Sequence, residues 1–267
     1  MPDIDPMASA LDFYLFHMKR LRDAEGLSQE ALGVKVGYTG KFIGLVETRR
    51  RRPNTKLSVA MDELYRIPKF FEAMLPRIAE EAGLPPGFWE YVEEEARASQ
   101  IRIYGQFVIP GVLQTPEYAR EVLRAGKRPE RLEELVRTRM DRKEIFDRED
   151  PPNVIVVLEE GVLRKVAGSR AITRAQLEQL VKYGHEPNFA IYVLGHSAQV
   201  FPEGSFTVLS FETDPDMGYE ESVGGRGRLI EPGPQVTEFA VGFELIREQA
   251  LPAAESEALI REVLETM

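Results

Sequence analysis

Between Leu27 and Pro53 the apolar positions follow two short helical periods with an interruption between them. Ala31, Leu32 and Val36 share one helix face, and Phe42, Ile43 and Val46 share another. The polar residues around them act as punctuation. Ser28 stands where a side chain accepts hydrogen bonds from first-turn amides, with acidic Glu30 at the positive end of the helix. Gly37 tolerates the left-handed backbone that ends a helix, and Thr39 can cap the next. The pattern predicts two short helices joined by a tight turn, then the run Arg49-Arg50-Arg51-Arg52 closed by Pro53. Helices this short are marginal alone in water, so they require neighbours. The flanks supply them as Leu11 to Ala24, stopping at Gly26, and Leu57 to Tyr65, with Leu57, Ala60, Met61 and Leu64 as its buried stripe. His17 reads as a helix-surface or core residue, with no metal partner spaced near it.

Beyond Pro68 the periodicity changes. Residues 70–82 read as helical, with a kink or break at Pro76, and 83–87 as a turn. Phe88 to Ala98 reads as an acidic helix carrying the single tryptophan, Trp89. Ile101 to Ile109 alternates and is rich in β-branched and aromatic residues, which predicts a strand. Apolar runs predict core strands at Asn153 to Glu159 and Phe189 to Leu194, and further strands span Ser205 to Phe211 and Met217 to Val223. Between and after them come helices. One is opened by the Thr115 cap and Pro116, and others cover 130–148, 173–183, 234–249 and 253–265. The expected fold class is an all-α N-terminal helix-turn-helix domain of four to five helices, followed by an α+β C-terminal domain. The expected boundaries are 1–67 for the first, 68–87 for a connector, and 88–267 for the second.

Charge divides along the same line. The net charge of −10 belongs to the whole chain of 267 residues. Residues 1–69 hold 12 Lys and Arg against 9 Asp and Glu, leaving 22 against 35 for the remainder. Attraction to nucleic acid depends on a local basic patch, and four of the basic residues are the consecutive arginines. An acidic second half would repel DNA and turn the first half toward it. Cysteine is absent, which excludes disulfides and thiolate metal sites. No signal-peptide pattern or membrane-length apolar run is present, so a cytoplasmic protein is expected, nucleoid-associated if it binds DNA.

Leu27 to Leu32 (LSQEAL), Val36-Gly37-Tyr38, Ile43, Val46-Glu47 and the arginines before Pro53 resemble the Cro/lambda-repressor-like helix-turn-helix family, of the XRE type. In that family the second helix of the pair enters the major groove with its N-terminal residues at base edges. The resemblance implies base-reading positions at Thr39, Gly40, Lys41 and Gly44, a phosphate contact at Gln29, and double-stranded DNA as a partner. Arg49, Arg50, Arg51 and Arg52 follow the reading helix and are expected to contact phosphates. Glycine offers no side chain to a base, so Gly40 and Gly44 depart from the family pattern.

A second resemblance covers residues 88–251. Ile101-Arg102, Tyr104, Ile109 to Thr115 (IPGVLQT), Tyr118-Ala119-Arg120, Arg139, Arg142, Leu158 to Arg164, and Gln176-Leu177 look like an actinobacterial domain without assigned activity. That domain commonly follows a helix-turn-helix of this type. The resemblance implies a regulator of development or secondary metabolism, often encoded beside a small companion protein in an antitoxin-like pair.

Candidate chemistry changes the picture little. The three histidines, His17, His185 and His196, have no zinc-ligand spacing. His196-Ser197 could be half of a catalytic pair, but a strand-end loop is the favoured reading. Gly224-Gly225-Arg226-Gly227-Arg228 could cradle phosphate, but a hairpin turn before Leu229-Ile230 is favoured. The expectation is no enzyme, no cofactor and no metal. It is a sequence-specific DNA-binding transcriptional regulator, a homodimer through its second half, whose C-terminal domain receives a small partner protein. The alternative is a small-molecule-sensing repressor, and an enzyme or effector targeted by the helix-turn-helix ranks below both.

Overall fold

Side-chain caps set the helix starts in this chain. Ser9, Ser28, Thr39, Asn54, Thr115 and Ser169 each accept from the amide three residues on, at 2.8–3.3 Å. Each bond satisfies one donor that the first helical turn leaves orphaned. The computed structural model of the chain describes residues 4–82, 88–125, 131–222 and 226–267. The chain divides into two units, Met1–Pro86 and Gly87–Met267.

The first unit is helical: α1 (Ala10–Ala24), α2 (Gln29–Val36), α3 (Gly40–Glu47), α4 (Thr55–Tyr65) and α5 (Leu75–Ala82). Its core gathers Tyr14, Leu15 and Met18 from α1 with Leu32, Ile43, Val46, Leu57 and Met61, all fully buried. Phe71, Leu75 and Ile78 belong to the same core. Three side chains of the segment expected to be a connector, Phe71, Leu75 and Ile78, thus pack into the first unit's core. The reason is chemical. Buried Asp62 accepts from the Phe71 and Glu72 amides at 2.8 and 3.1 Å and folds this segment back onto α4. The break expected at Pro76 is also relocated. A 3-10 turn at Glu72–Met74 precedes α5, so Pro76 falls in the first turn of α5, where its missing N–H costs nothing. The expected turn at 83–87 lies outside the described residues.

The second unit is built on one mixed sheet. Strands β1 (Gln100–Gly105), β2 (Asn153–Glu159) and β3 (Phe189–Leu194) are parallel, and β4 (Phe206–Ser210), β5 (Met217–Ser222) and β6 (Arg226–Ile230) are antiparallel. The order is β3-β2-β1-β4-β5-β6, so β1 is where the sheet changes from parallel to antiparallel pairing. Helices α6 (Phe88–Glu95), α7 (Pro116–Arg124), α8 (Leu132–Asp141), α9 (Glu160–Arg164), α10 (Arg170–Gly184), α11 (Pro234–Gln249) and α12 (Ala253–Glu265) complete it. Alternation along the strands sorts two faces. Tyr104, Val157 and Leu194 pack with Phe243 and Ile246 of α11. Tyr219, on the opposite face, stacks on Tyr91 of α6 with ring centroids 4.0 Å apart.

Several expected elements are shorter than their periodicity suggested. The first strand ends at Gly105 rather than Ile109, because the chain turns into a 3-10 segment at Gly111–Leu113 after Pro110. The helix expected over 130–148 is α-helical only to Asp141 and continues as 3-10 from Arg142 to Asp147. The change falls at a buried ion pair. Arg142 donates to both Glu95 oxygens at 2.7 and 2.8 Å, and the Tyr91 hydroxyl donates to the same carboxylate at 2.5 Å. The Phe88 and Tyr91 rings lie 5.2 and 5.3 Å from the guanidinium carbon. Burial opposes the Arg142 charge, but the Glu95 carboxylate outweighs it and holds the guanidinium well above its ordinary value.

Removing one partner of such a pair leaves an uncompensated buried charge. We expect Glu95→Ala to destabilise the second unit by about 3–5 kcal/mol, measured by urea unfolding. A loss below about 1 kcal/mol would mean that solvent reaches the guanidinium and screens it as at a surface.

Candidate functional site

The α2–α3 turn is set by three glycines. Gly37 adopts φ +74°, the left-handed conformation that ends α2. At Gly33 a Cβ would lie 2.7 Å from the Tyr38 carbonyl oxygen and 2.8 Å from the Thr39 carbonyl carbon. At Gly40 it would lie 2.8 Å from the Glu30 Cα. The two helices therefore cross at backbone contact. Side-chain bonds complete the corner: the Gly40 amide donates to Glu30 Oε2 at 3.1 Å, and Gln29 Nε2 donates to Glu47 Oε2 at 2.7 Å. Glu47 also receives Arg22 from α1, at 2.7 and 3.3 Å.

The expected contact residues are not equivalent in place. Thr39 is exposed and its hydroxyl caps α3, while Lys41 is exposed on the first turn. Gly40 is buried against α2, where its lack of a side chain serves packing. Gly44 is half-buried beneath the Gln29 amide, whose Oε1 lies 2.9 Å from where a Cβ would stand. The polar group absent from α3 at this point is thus carried over it from α2. The outward face of α3 comprises Lys41, Gly44, Leu45 and Thr48.

The four arginines also separate. Arg49 takes a left-handed φ of +60° after α3, and its guanidinium pairs with Asp12 of α1, with Nε at 2.7 Å. The Arg51 guanidinium lies 5.0 Å from the Phe42 ring, and Arg51 and Arg52 are half-buried. Arg50 is exposed, and among the described residues its side chain has no hydrogen bond or ion pair. Sequence reasoning missed Gly33 and the Arg22–Glu47–Gln29 network. The signal for the latter was Glu47 itself, an acid one turn after inward-facing Ile43.

A second feature lies in the α+β unit, at the carboxyl end of β1. It is a cavity of about 150 Å³ between the ends of β1 and β4. Tyr104, Pro110, Gly111, Gln114, Arg139 and Arg142, scattered over the sequence, all line it. Arg139 donates to Gln114 Oε1 at 2.8 Å, and Gln114 Nε2 donates in turn to the Ile109 carbonyl at 2.6 Å. Burial and the nearby Arg142 charge push the Arg139 guanidinium down to about 10, so it remains cationic at neutral pH.

Elsewhere the candidate chemistry is dispersed. His196 is exposed in the loop after β3, with Nε2 3.7 Å from Glu160 and no hydrogen bond to Ser197. Asp216 accepts from Arg102 at 2.8 Å and Asp214 pairs with Arg97. In the glycine-rich run, Gly224 and Gly225 lie outside the described residues; β5 and β6, on either side, form an antiparallel pair. Among the described residues no three His, Cys, Asp or Glu side chains are grouped to hold a metal ion, and no helix is long and apolar enough to cross a membrane.

The chain thus joins a helical unit containing a glycine-pinned pair of short helices to an α+β unit on a six-stranded mixed sheet. It belongs to the family described as "Domain of unknown function (DUF5753)", whose model matches residues 88–262. No curated protein and no solved structure matches the chain.

The glycines of the corner give a paired prediction. Gly33→Ala drives a methyl into backbone and should cost about 1–3 kcal/mol. Gly44→Ala displaces only the end of the Gln29 side chain and gains up to about 1 kcal/mol of helix propensity. Thermal unfolding should therefore rank Gly33→Ala below the parent and Gly44→Ala level with or above it. The reverse order would mean that α2 and α3 do not cross at backbone contact.

Proposed function

We propose that the chain is a sequence-specific DNA-binding transcriptional regulator, with α3 as the helix that reads the duplex. The observation that carries this reading is the outward face of α3. It is short and slender at Gly44, and it bears exposed Lys41 at its start and exposed, unpaired Arg50 beyond its end. A thin helix with cations at both ends suits close approach to a groove lined by phosphates. Gln29, held over Gly44 by Glu47, adds an amide at the same surface. Because a single pair of this kind covers one half-site, the reading includes a homodimer. The acidic α+β unit is the proposed seat of dimer contacts and of a small companion protein, since its charge keeps it off DNA.

Salt dependence distinguishes the arginines. In the full chain, Lys41→Ala and Arg50→Ala should each flatten the dependence of log affinity on log salt, by about 0.9 for every phosphate no longer neutralised. Arg49→Ala removes a cation already engaged by Asp12 and should change the slope much less. Lys41→Ala should also narrow the ratio of operator to random-sequence affinity, by about 1–3 kcal/mol per specific pair. A Lys41→Ala/Arg50→Ala double variant with the parent's slope would remove α3 from the interface.

A further inference from the structure

Two guanidiniums line the cavity at the carboxyl end of β1, and only one is held in an ion pair. Arg142 is committed to Glu95 through two hydrogen bonds. Arg139 has no carboxylate within ion-pair distance among the described residues, its hydrogen-bond partner Gln114 is neutral, and the Glu221 charge acts on it only from beyond that distance. Gly111 makes room for both cations: a Cβ there would lie 3.2 Å from Arg142 Nη1 and 3.3 Å from Arg139 Nε. Holding two like charges side by side away from bulk water is unfavourable unless an anion joins them. A single bond to a neutral amide uses one of the five donors of a guanidinium. The remaining donors, in their planar fork, match a carboxylate.

The rest of the cavity defines what that carboxylate is attached to. Phe88, Tyr91 and Tyr219 provide aromatic walls. Phe107, which also lines the cavity, is 62% exposed, unusual for so large an apolar side chain. The volume of about 150 Å³ is of the size that admits a single small ring. Exposed Glu221, also in the lining, offsets part of the Arg139 charge and so favours a singly charged anion over doubly charged phosphate. The position accords with open α/β sheets in general, where ligands lie outside the carboxyl ends of strands at a point of changed strand order. We propose that this cavity binds a small organic monocarboxylate with an apolar body, its carboxylate seated on Arg139. The inference stands independently of DNA binding.

The test uses the full chain near pH 7, titrated with benzoate, phenylacetate and hexanoate, followed by calorimetry and by the fluorescence of Trp89, the only tryptophan. At least one of these probes should bind saturably at submillimolar to millimolar concentration, while benzyl alcohol and inorganic phosphate should not compete. Arg139→Met should weaken binding by about tenfold to a hundredfold, the loss expected for hydrogen bonds to a charged group. It should also unfold at a temperature equal to or above the parent's, because a desolvated charge without an ion pair has gone. Arg139→Lys, which keeps the charge but not the fork, should fall between the two. Absence of binding by all three probes would overturn the proposal. So would undiminished binding in Arg139→Met, or, on the parent protein alone, equal binding of benzyl alcohol or phosphate.

Discussion

The second unit depends on one buried charge pair. Arg142 and Glu95 come from segments far apart in sequence, and each would be severely destabilising without the other. Their pairing positions α6 against the sheet, with Tyr91 bonded to the same carboxylate and stacked on Tyr219 of β5. It also coincides with the end of α8, where the backbone tightens into 3-10 geometry at Arg142. One wall of the cavity is therefore held by electrostatics that admit few alternative geometries. Arg139, one turn earlier on α8, is thereby carried into the same space without an ion pair.

The first unit uses the same device at smaller scale. Arg22 on α1 forks onto Glu47 at the end of α3, and Glu47 also takes the Gln29 amide from the start of α2. Three helices thus meet at one carboxylate. Gly33 and Gly40 let two of them approach to backbone contact, which fixes the angle at which α3 presents its outer face. Where one pair shapes a cavity wall, the other shapes an exposed helix. Both convert a single acid into a rigid local geometry.

Much of the secondary structure was legible in the chain. The caps at Ser28, Thr39 and Thr115, the strands Asn153–Glu159 and Phe189–Leu194, and the helices Pro234–Gln249 and Ala253–Glu265 follow from periodicity and local chemistry. What was not legible is pairing at a distance. Periodicity marks Glu47 and Arg142 as odd residues on apolar faces, but it does not name Arg22 or Glu95 as partners. The run Arg49 to Arg52 looked uniform because adjacent identical residues carry no information about direction. In the fold one member is tied to Asp12, one lies over Phe42 and one is free in solvent. Gly40 looked like a gap in a reading helix because a missing side chain at an exposed position and one at a crossing leave the same trace in sequence.

The distribution of unmatched charge follows from these constraints. Most arginines among the described residues have a carboxylate within reach, as expected for a chain with an excess of acid. An arginine left without one at a solvated surface needs no special reason, but one removed from water does. Just beyond α3, Arg50 is exposed, where being unpaired costs little and leaves the charge available to an anionic surface. At the cavity, Arg139 is partly removed from water, where being unpaired is unfavourable and the charge stays only because its surroundings are fixed by other bonds. The first arrangement suits long-range, salt-sensitive attraction to a polyanion. The second suits a short-range, desolvated contact with one small anion, where a planar fork discriminates by shape as well as by charge.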